Sequence, residues 1–484
     1  MCAPHHMTNL LVMKFGGSSM GSAERIRVAA QLASSEQARR PVAIVVSAMS
    51  KVTDLLLDSL RKAEAGDQAD LDHNLKLLAQ RHIEACKELL PADRHQAALA
   101  EVEALVEEFA RIAKGMLMLG ERPPKSVDEA IAIGERLSAF LMAEYLRSQG
   151  IPARAVNAAE VIATDAVFGN ATPLMDQTRA RAWQALRPLI EARVLPVITG
   201  FNGSTVDGRP TTLGRGGSDF SASIIAAALD AQELWIWTDV DGIMSADPRL
   251  VPNAKVLDEV TYAEAAELAY NGAKVLHPRT LAPLAERLIP VWSKNSFAPE
   301  KPGTRIVPKL SEKSGTLGAH AVTSMADVAL VSIEPAAGGP SGTKVMARAL
   351  ESLARSNVEL LALTSSSYRQ TFCFLVRSAE LDRALEHLEE DFSLELAHGY
   401  LRPFQVDSDV GLLAIVGEGM RGTAGLAGRI FSAISREKVN IIAIAQGSSE
   451  LTIATVVRRS GLERAVRAVH EECGLGGAGP RPAV

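Results

Sequence analysis

Thr211-Thr-Leu-Gly-Arg-Gly-Gly-Ser-Asp219 sets three glycines around one arginine and runs into the apolar segment Ala222–Leu229. Glycine permits tight turns and close approach of the backbone to a ligand. A helix starting near Ser218 turns its unpaired N–H groups and its positive dipole end toward that turn, which suits an anion. Arg215 adds a planar fork for a carboxylate or phosphate, and Asp219 adds the opposite charge. These residues alone leave two readings open: an anion-holding loop, or a capped helix with a solvated Arg215–Asp219 pair.

The segments upstream repeat the theme. Leu10–Phe15 is a short apolar strand, followed at once by Gly16-Gly17-Ser18-Ser19 and a helix over Ala23–Ala33. Strand, glycine pair, hydroxyls and helix make a phosphate-cradling layout, with Lys14 at the strand's end. The spacing is not that of a Walker A loop. Val42–Val46 is apolar and β-branched, as in a central parallel strand. It leads into Ser47-Ala-Met-Ser-Lys-Val-Thr53, either a plain hydroxyl-rich turn or a ligand edge of an open α/β sheet. From Asp54 to Leu119 apolar residues recur at helical steps, interrupted at Pro91 and closed before Pro123-Pro124. A further helix runs from Ile131 to Gln149. Glu135 near its start either meets an amine or is simply favoured by the helix dipole.

Further strands are predicted at 152–156, 194–198 and 233–237, the last ending in Thr238-Asp-Val-Asp-Gly242. Asp247-Pro-Arg249 reads as a turn and Tyr262–Tyr270 as a helix. Gly272-Ala-Lys-Val-Leu-His-Pro278 follows, and His277 and Asp247 read as structural. The alternation predicts a mostly parallel sheet with helices on both faces.

The chain has 484 residues, enough for about two to four domains. An apolar fraction of 47% with 22% charged residues is that of a folded soluble protein. A net charge of -6 argues against nucleic-acid and anionic-membrane partners. Aromatics at 4% offer few platforms for stacking bases. Cys2, Cys86, Cys373 and Cys473 form no C-x-x-C pair, so neither a metal site nor a disulfide framework is expected, and the thiols read as reduced and cytoplasmic. No apolar run precedes Lys14 as a secretory signal would, and no uncharged run of about 20 apolar residues occurs to span a membrane.

Pro299–Ser314, rich in Pro, Gly, Lys and Ser, reads as a boundary, and an internal repeat follows. Val328–Ile333, a loop, a helix to Ser356 and a strand from Asn357 match Val410–Ile415, a loop, a helix to Lys438 and a strand from Asn440. Ser365-Ser366 matches Ser448-Ser449, and Leu381-Asp-Arg-Ala-Leu matches Leu462-Glu-Arg-Ala-Val. Each copy reads βαββαβ with its last strand unassigned. Gly417-Glu-Gly-Met-Arg-Gly422 fits a dinucleotide fingerprint, with Glu437 about twenty residues on. It is rejected, because the first copy carries the same strand–loop–helix without it and the unit is too short for a two-half nucleotide fold.

Side by side, Lys14-Phe-Gly-Gly-Ser-Ser, Val45-Val-Ser-Ala with Thr53, Gly134-Glu135 with Ser138, Gly214–Asp219, Thr238–Gly242 with Asp247-Pro-Arg249, and Gly272–Pro278 resemble the aspartokinases of the amino-acid kinase superfamily. Acetylglutamate, glutamate and uridylate kinases share the glycine-rich strand ends but not the whole set. The resemblance implies a mostly parallel three-layer αβα kinase domain over 10–308. Two α+β ferredoxin-like (βαββαβ) ACT regulatory domains follow at 319–400 and 405–474, interleaved in relatives. It implies transfer of the ATP γ-phosphoryl group to the side-chain carboxylate of L-aspartate, giving 4-phospho-L-aspartate on the route to lysine, threonine and methionine. A cytoplasmic homodimer or higher homo-oligomer joined through the ACT domains is expected, and a monofunctional one, since no homoserine dehydrogenase module follows Val484.

By the same resemblance Lys14 and Asp219 are catalytic: Lys14 stabilises the moving phosphoryl group and Asp219 orders Lys14 and substrate. Ser47, Thr53, Glu135, Arg215 and Ser218 hold aspartate, Arg215 at its α-carboxylate and Glu135 at its α-ammonium. Lys14, Phe15, Gly16, Gly17, Ser18, Thr238, Asp239, Met244, Arg249, Lys274 and Val275 hold ATP, Gly16 and Gly17 through backbone N–H groups. Met244 stands where many relatives carry tyrosine. Mg²⁺ accompanies ATP, held mainly by phosphates, and no protein metal site is expected. Gly342, Asn357, Ser366, Asn440 and Gln446 are the expected effector residues. Gln446 keeps a glutamine of threonine-sensitive relatives, while the first copy has Leu363 there, and Leu361 replaces an acidic residue of lysine-sensitive ones. Threonine is favoured, with lysine, both or neither open. A kinase for another carboxylate or carbamate, and a binding-only amino-acid sensor, are the rival readings.

Overall fold

The computed structural model describes residues 9–273, 276–311, 318–366 and 371–476. The chain divides into two compact units. Met1–Ile243, Asp258–Tyr262 and Leu276–Leu310 make the first, and Met244–Leu257, Ala263–Val275 and Ser311–Val484 the second. Among the described residues no helix is long and apolar enough to cross a membrane.

The strands of the first unit are β1 (Leu11–Phe15), β2 (Val42–Val46), β3 (Ala153–Val156), β4 (Leu195–Thr199), β5 (Asn202–Ser204), β6 (Pro210–Thr212), β7 (Glu233–Thr238), β8 (Glu259–Thr261), β9 (Val291–Asn295) and β10 (Thr304–Val307). Eight of them form one sheet in the order β3-β4-β2-β1-β7-β9-β10-β8, and β5 and β6 form a separate ribbon. From β3 to β9 all neighbours pair in parallel. Only β10 runs against β9, and β8 lies parallel to β10. Every residue of β1, β2 and β4 is buried, which is why these stretches are apolar without alternation. The chain leaves β1 for β2 on one side and returns as β7 on the other. The carboxyl end of β1 is therefore a topological switch point, where open α/β sheets leave a crevice for ligands.

Helices cover the two faces. α1 (Ala23–Gln37), α2 (Val52–Glu64), α3 (Gln68–Leu89), α4 (His95–Leu119), α5 (Pro124–Ile131) and α6 (Ile133–Ser148) share a core with Leu11, Met13 and Phe15 of β1. The expected break at Pro91 separates α3 from α4. Pro124 opens α5, where its missing N–H costs nothing. On the other face α8 (Gly217–Ala228) packs on β1, β2 and β7, flanked by α7 (Met175–Glu191) and by Pro278–Arg287, which is α10 because Tyr262–Tyr270 (α9) precedes it. The stretch read as a boundary, 299–314, contains β10, so the first sheet runs further than its composition indicated.

The second unit holds β11 (Ala321–Ile333), α11 (Gly342–Arg355), β12 (Ala362–Ser365), β13 (Phe372–Arg377), α12 (Leu381–Asp391), α13 (Ser393–Ala397), β14 (Gln405–Val416), α14 (Leu426–Arg436), β15 (Ile441–Gln446), β16 (Thr452–Arg458) and α15 (Leu462–Glu472). They form one antiparallel sheet in the order β12-β13-β11-β14-β16-β15. The repeat is real, and its missing strands are now placed. Leu330–Ser332 of β11 pair with Gln405–Asp407 of β14, while Ala321–Met325 pair with Leu412–Val416. Each long strand thus opens its own copy and closes the other one. The first part of β11, Ala321–Met325, precedes the Val328–Ile333 strand read from the sequence and belongs to the same strand. The strand expected from Asn357 starts later, at Ala362, because Asn357 adopts φ 51 and the ladder begins with the Leu361 N–H on the Leu375 carbonyl.

The false fingerprint lies at the end of β14, in this antiparallel sheet. A Cβ on Gly417 would sit 2.3 Å from the Gly318 carbonyl oxygen, so glycine serves a backbone contact there. The Glu418 N–H donates to the buried Glu264 carboxylate at 2.6 Å.

Candidate active site

Alternation along β1 decides where its lysine goes. Leu11, Met13 and Phe15 face α1 and α6, so Val12 and Lys14 face the opposite side, where α8 lies. The Lys14 Nζ is 2.6 Å from Asp219 Oδ1, with side chains 9% and 22% exposed. Asp219 therefore pairs with Lys14 across the sheet edge and not with Arg215, and the solvated Arg–Asp reading falls. Arg215 is exposed and has no hydrogen bond or ion pair among the described residues. Burial of Phe220, Ile224 and Ile225 contributes on the order of 5–8 kcal/mol, whereas a single ion pair contributes about 1 kcal/mol. The core, not the pair, holds α8 in place.

The first turn of α8 reaches this position because the chain is bare there. Gly216, at φ 70, is its left-handed N-cap. A Cβ on Gly200, just after β4, would lie 2.7 Å from Ser218 Cβ. The N–H groups of Ser218 and Asp219 meet no acceptor among the described residues, so the helix end offers two donors beside Lys14.

The loop after β2 forms a second wall. Ser47 is half-buried and its N–H donates to the Phe15 carbonyl at 3.0 Å. Thr53 is half-buried in the first turn of α2. Glu135, in the first turn of α6, is 2% exposed. Its Oε1 accepts from the Ala48 N–H at 3.2 Å, and its Oε2 has no partner among the described residues. Burial pushes this carboxyl up to about 8, against the opposing Ala48 hydrogen bond and the charge of Lys14. A cation reaching Oε2 would recover the charged form.

The residues expected to hold ATP differ in detail from expectation. The Gly16 N–H is already donated to the Trp237 carbonyl at 3.1 Å, so Gly16 is not a free phosphate donor. The N–H groups of Gly17 and Ser18 meet no acceptor among the described residues. Phe15 is fully buried and stacks on Trp237 at 6.2 Å, so it can contribute only through its backbone. Thr238 Oγ1 donates to Asp239 Oδ1 at 3.2 Å. Met244 and Arg249 belong to the second unit. Met244 bridges to Val256, and Arg249 clasps Asp247 with Nη2–Oδ2 at 2.5 Å, which uses part of its fork. Lys274 and Val275 lie outside the described residues. His277 caps α10, accepting from the Arg279 N–H at 3.3 Å, in keeping with its structural reading.

One residue escaped the sequence reading. Asp128 in α5 is 1% exposed and accepts from Gly169 N–H, Thr212 N–H and Thr212 Oγ1, each at 2.8 Å. It anchors the ribbon that delivers Gly214–Asp219. An acidic residue on the buried side of a short helix was the available signal.

Among the expected effector residues, Gly342 is buried at the start of α11 and Asn357 is left-handed after its end. Ser366, Asn440 and Gln446 are exposed. The Ser366 N–H donates to the Thr371 carbonyl at 2.8 Å. Edge strands β12 and β15 lie against each other.

The amino acid kinase family profile matches residues 9–295, and an ACT domain profile matches 413–473. A chloroplastic aspartokinase 1 of Arabidopsis thaliana is 32% identical over 473 residues, covering 95% of this chain and 79% of that one. The chain belongs to the aspartokinase family. Bifunctional aspartokinase/homoserine dehydrogenases are also similar; that of Arabidopsis thaliana is 34% identical over 466 residues. The chain spans 95% of itself but only 50% of that relative, about half its length. Among solved aspartokinases, E. coli aspartokinase III with aspartate and ADP superposes with a TM-score of 0.81 at 28% identity, covering 96% and 99% of the two chains. The same enzyme with lysine and aspartate gives 0.78 at 29% identity, again covering 96% and 99%.

Proposed function

We propose that this protein transfers the γ-phosphoryl group of ATP to the side-chain carboxylate of L-aspartate. The observation that carries this is the cluster beyond β1: Lys14 paired with Asp219 and, among the described residues, Arg215 unpaired and a buried Glu135 oxygen without a partner. Two anions must be brought together, and that needs cations and free N–H groups more than covalent help from the protein. Lys14, with the Gly17 and Ser18 amides, meets the phosphates. Arg215 clamps the α-carboxylate of aspartate, helped by the Ser218 amide, and Glu135 takes its α-ammonium while Ser47 and Thr53 fix its orientation. No general base is required, since the attacking carboxylate is already ionised near pH 7. Asp219 holds Lys14 in register. Thr238, Asp239, Met244, Arg249, Lys274 and Val275 serve the rest of the nucleotide.

Magnesium accompanies ATP and neutralises its phosphate charge. No three or more His, Cys, Asp or Glu side chains gather into a metal cage among the described residues; the ion would be carried by phosphate oxygens and water. We assign 10–308 to catalysis and the repeats at 319–400 and 405–474 to feedback control. Gly342, Asn357, Ser366, Asn440 and Gln446 would serve the effector, threonine first and lysine second. The assembly is a cytoplasmic homo-oligomer joined through the repeats.

A hydroxamate assay for acyl phosphate tests this. Lys14→Ala and Asp219→Ala should each lower turnover ~10²–10³-fold with the fold intact. Near-normal turnover in either would remove the proposed roles. Titration with threonine and lysine separates the effectors, and inhibition by lysine alone would reverse the preference.

A further inference from the structure

We propose that Ser296 is a positioning residue of the nucleotide subsite, tying the loop after β1 to the loop after β7. The inference rests on the nucleotide reading above. Ser296 follows β9 and is 1% exposed. Its N–H donates to the Thr238 carbonyl at 2.9 Å. Its Oγ lies 2.8 Å from Ser19 Oγ and 3.2 Å from the Thr238 carbonyl oxygen. The Arg25 Nη2 donates to the Ser296 carbonyl at 2.5 Å and to its Oγ at 3.0 Å.

The hydroxyl makes contacts that the sheet does not need. The β7–β9 ladder ends at Thr238 opposite Asn295, and β1 is not a neighbour of β9. The Ser296 Oγ therefore reaches past β7 to a loop belonging to another strand. Ser19 is fully buried, and its Oγ lies 3.3 Å from the Trp237 carbonyl. Two proton arrangements are available. If Ser296 donates to Ser19, then Ser19 donates to Trp237. If Ser19 donates to Ser296, then Ser296 donates to Thr238. Either way the pair closes on a carbonyl of the last two residues of β7.

What this clamp holds is the phosphate wall. Ser19 follows Gly17 and Ser18, whose amides are free among the described residues, and Thr238 precedes Asp239. The turn around Ser296 braces the second loop again: Asn295 Nδ2 donates to Asp241 Oδ1 at 2.6 Å, and Lys301 Nζ to Asp241 Oδ2 at 2.7 Å. Arg25 stacks 3.7 Å above the Phe297 ring and closes the outside.

The test measures Mg·ADP binding by calorimetry and the KM of each substrate by steady-state kinetics. Ser296→Ala should weaken Mg·ADP about five- to tenfold and raise the KM for ATP equally, with the KM for aspartate changed less than about twofold. Ser296→Thr, which keeps the hydroxyl, should restore ADP binding. Unchanged ADP affinity in Ser296→Ala, or an equal rise of both KM values that threonine does not rescue, overturns the inference. If Ser296→Ala does not fold, Ser19→Ala removes the same bond from its other end, and unchanged ADP affinity there is equally fatal. A wild type that binds Mg·ADP but does not phosphorylate aspartate defeats the functional reading alone, because calorimetry still decides Ser296. A wild type that binds no Mg·ADP defeats both.

Discussion

At the scale of single residues, Glu135 has the clearest consequence. Its carboxyl is pushed up to about 8 by burial, so below that pH the free protein holds it mostly neutral. An ammonium-bearing substrate needs it charged. The KM for aspartate should therefore fall as pH rises from 6 to 8, by up to about tenfold per unit. Glu135→Gln should raise the KM and flatten that slope; a flat profile in the wild type contradicts the assigned role. Stability follows the opposite sense. Between the unfolded value near 4.5 and about 8, the folded state keeps a proton that the unfolded state has lost, so stability falls as pH rises through this window. Chemical denaturation should show Glu135→Gln gaining on the wild type from pH 5 to 8, by up to a few kcal/mol. Lys14 is a different kind of residue: its type could be read from its own neighbours in sequence, and only the family resemblance pointed to Asp219 as the residue that orders it.

At the scale of elements, the site depends on how closely α8 approaches the loop after β4. The limiting contact is Gly200 against Ser218, where an added Cβ would come within 2.7 Å of Cβ and 3.0 Å of Cα. Backbone must move to admit it. Gly200→Ala should cost about 1–3 kcal/mol by overpacking and, by shifting Asp219 from Lys14, lower kcat/KM by roughly 10²-fold. The ratio of the two effects is the informative measurement: stability lost without activity would place the tight contact outside the working geometry. Asp128 acts on the same segment from the other side through its three hydrogen bonds to Gly169 and Thr212.

At the scale of the whole molecule, the chain crosses between its two units more than once. Met244–Leu257 and Ala263–Val275 are early in sequence yet belong to the second unit. Ala246 and Val251 are buried in a core with Ile430, Ile434 and Val469, and Ser245 Oγ lies 3.0 Å from His470 Nε2. Glu264 is fully buried beside His320 at 2.8 Å. A fragment ending at residue 310 strips these groups of their surroundings. It should be less soluble than the full chain and melt at a lower temperature. A fragment as stable as the parent would show that the two crossing segments do not depend on the rest of the second unit's core.

Local pattern was enough for the buried parallel strands, for the helices with long periodic runs such as α3 and α4, and for the duplication, because each records its own burial in its own residues. The glycines, Lys14, Arg215 and Glu135 were legible for the same reason: their chemistry is unusual where they stand. Strands β8, β9 and β10 were not foreseen, being three to five residues long and mixing Lys, Arg and Thr with apolar residues. Nor was the exchange of closing strands between β11 and β14, since pairing partners are set by distant chain. Residue types alone determined what charges and amides this protein brings to a ligand. Only the tertiary structure decided that Arg215 stands apart from the Lys14–Asp219 pair that the resemblance had implied, that the Gly16 amide is spent on Trp237, and that Ser296 joins two loops. Those are contacts between segments far apart in the chain, and their energies depend on where a packed core puts them.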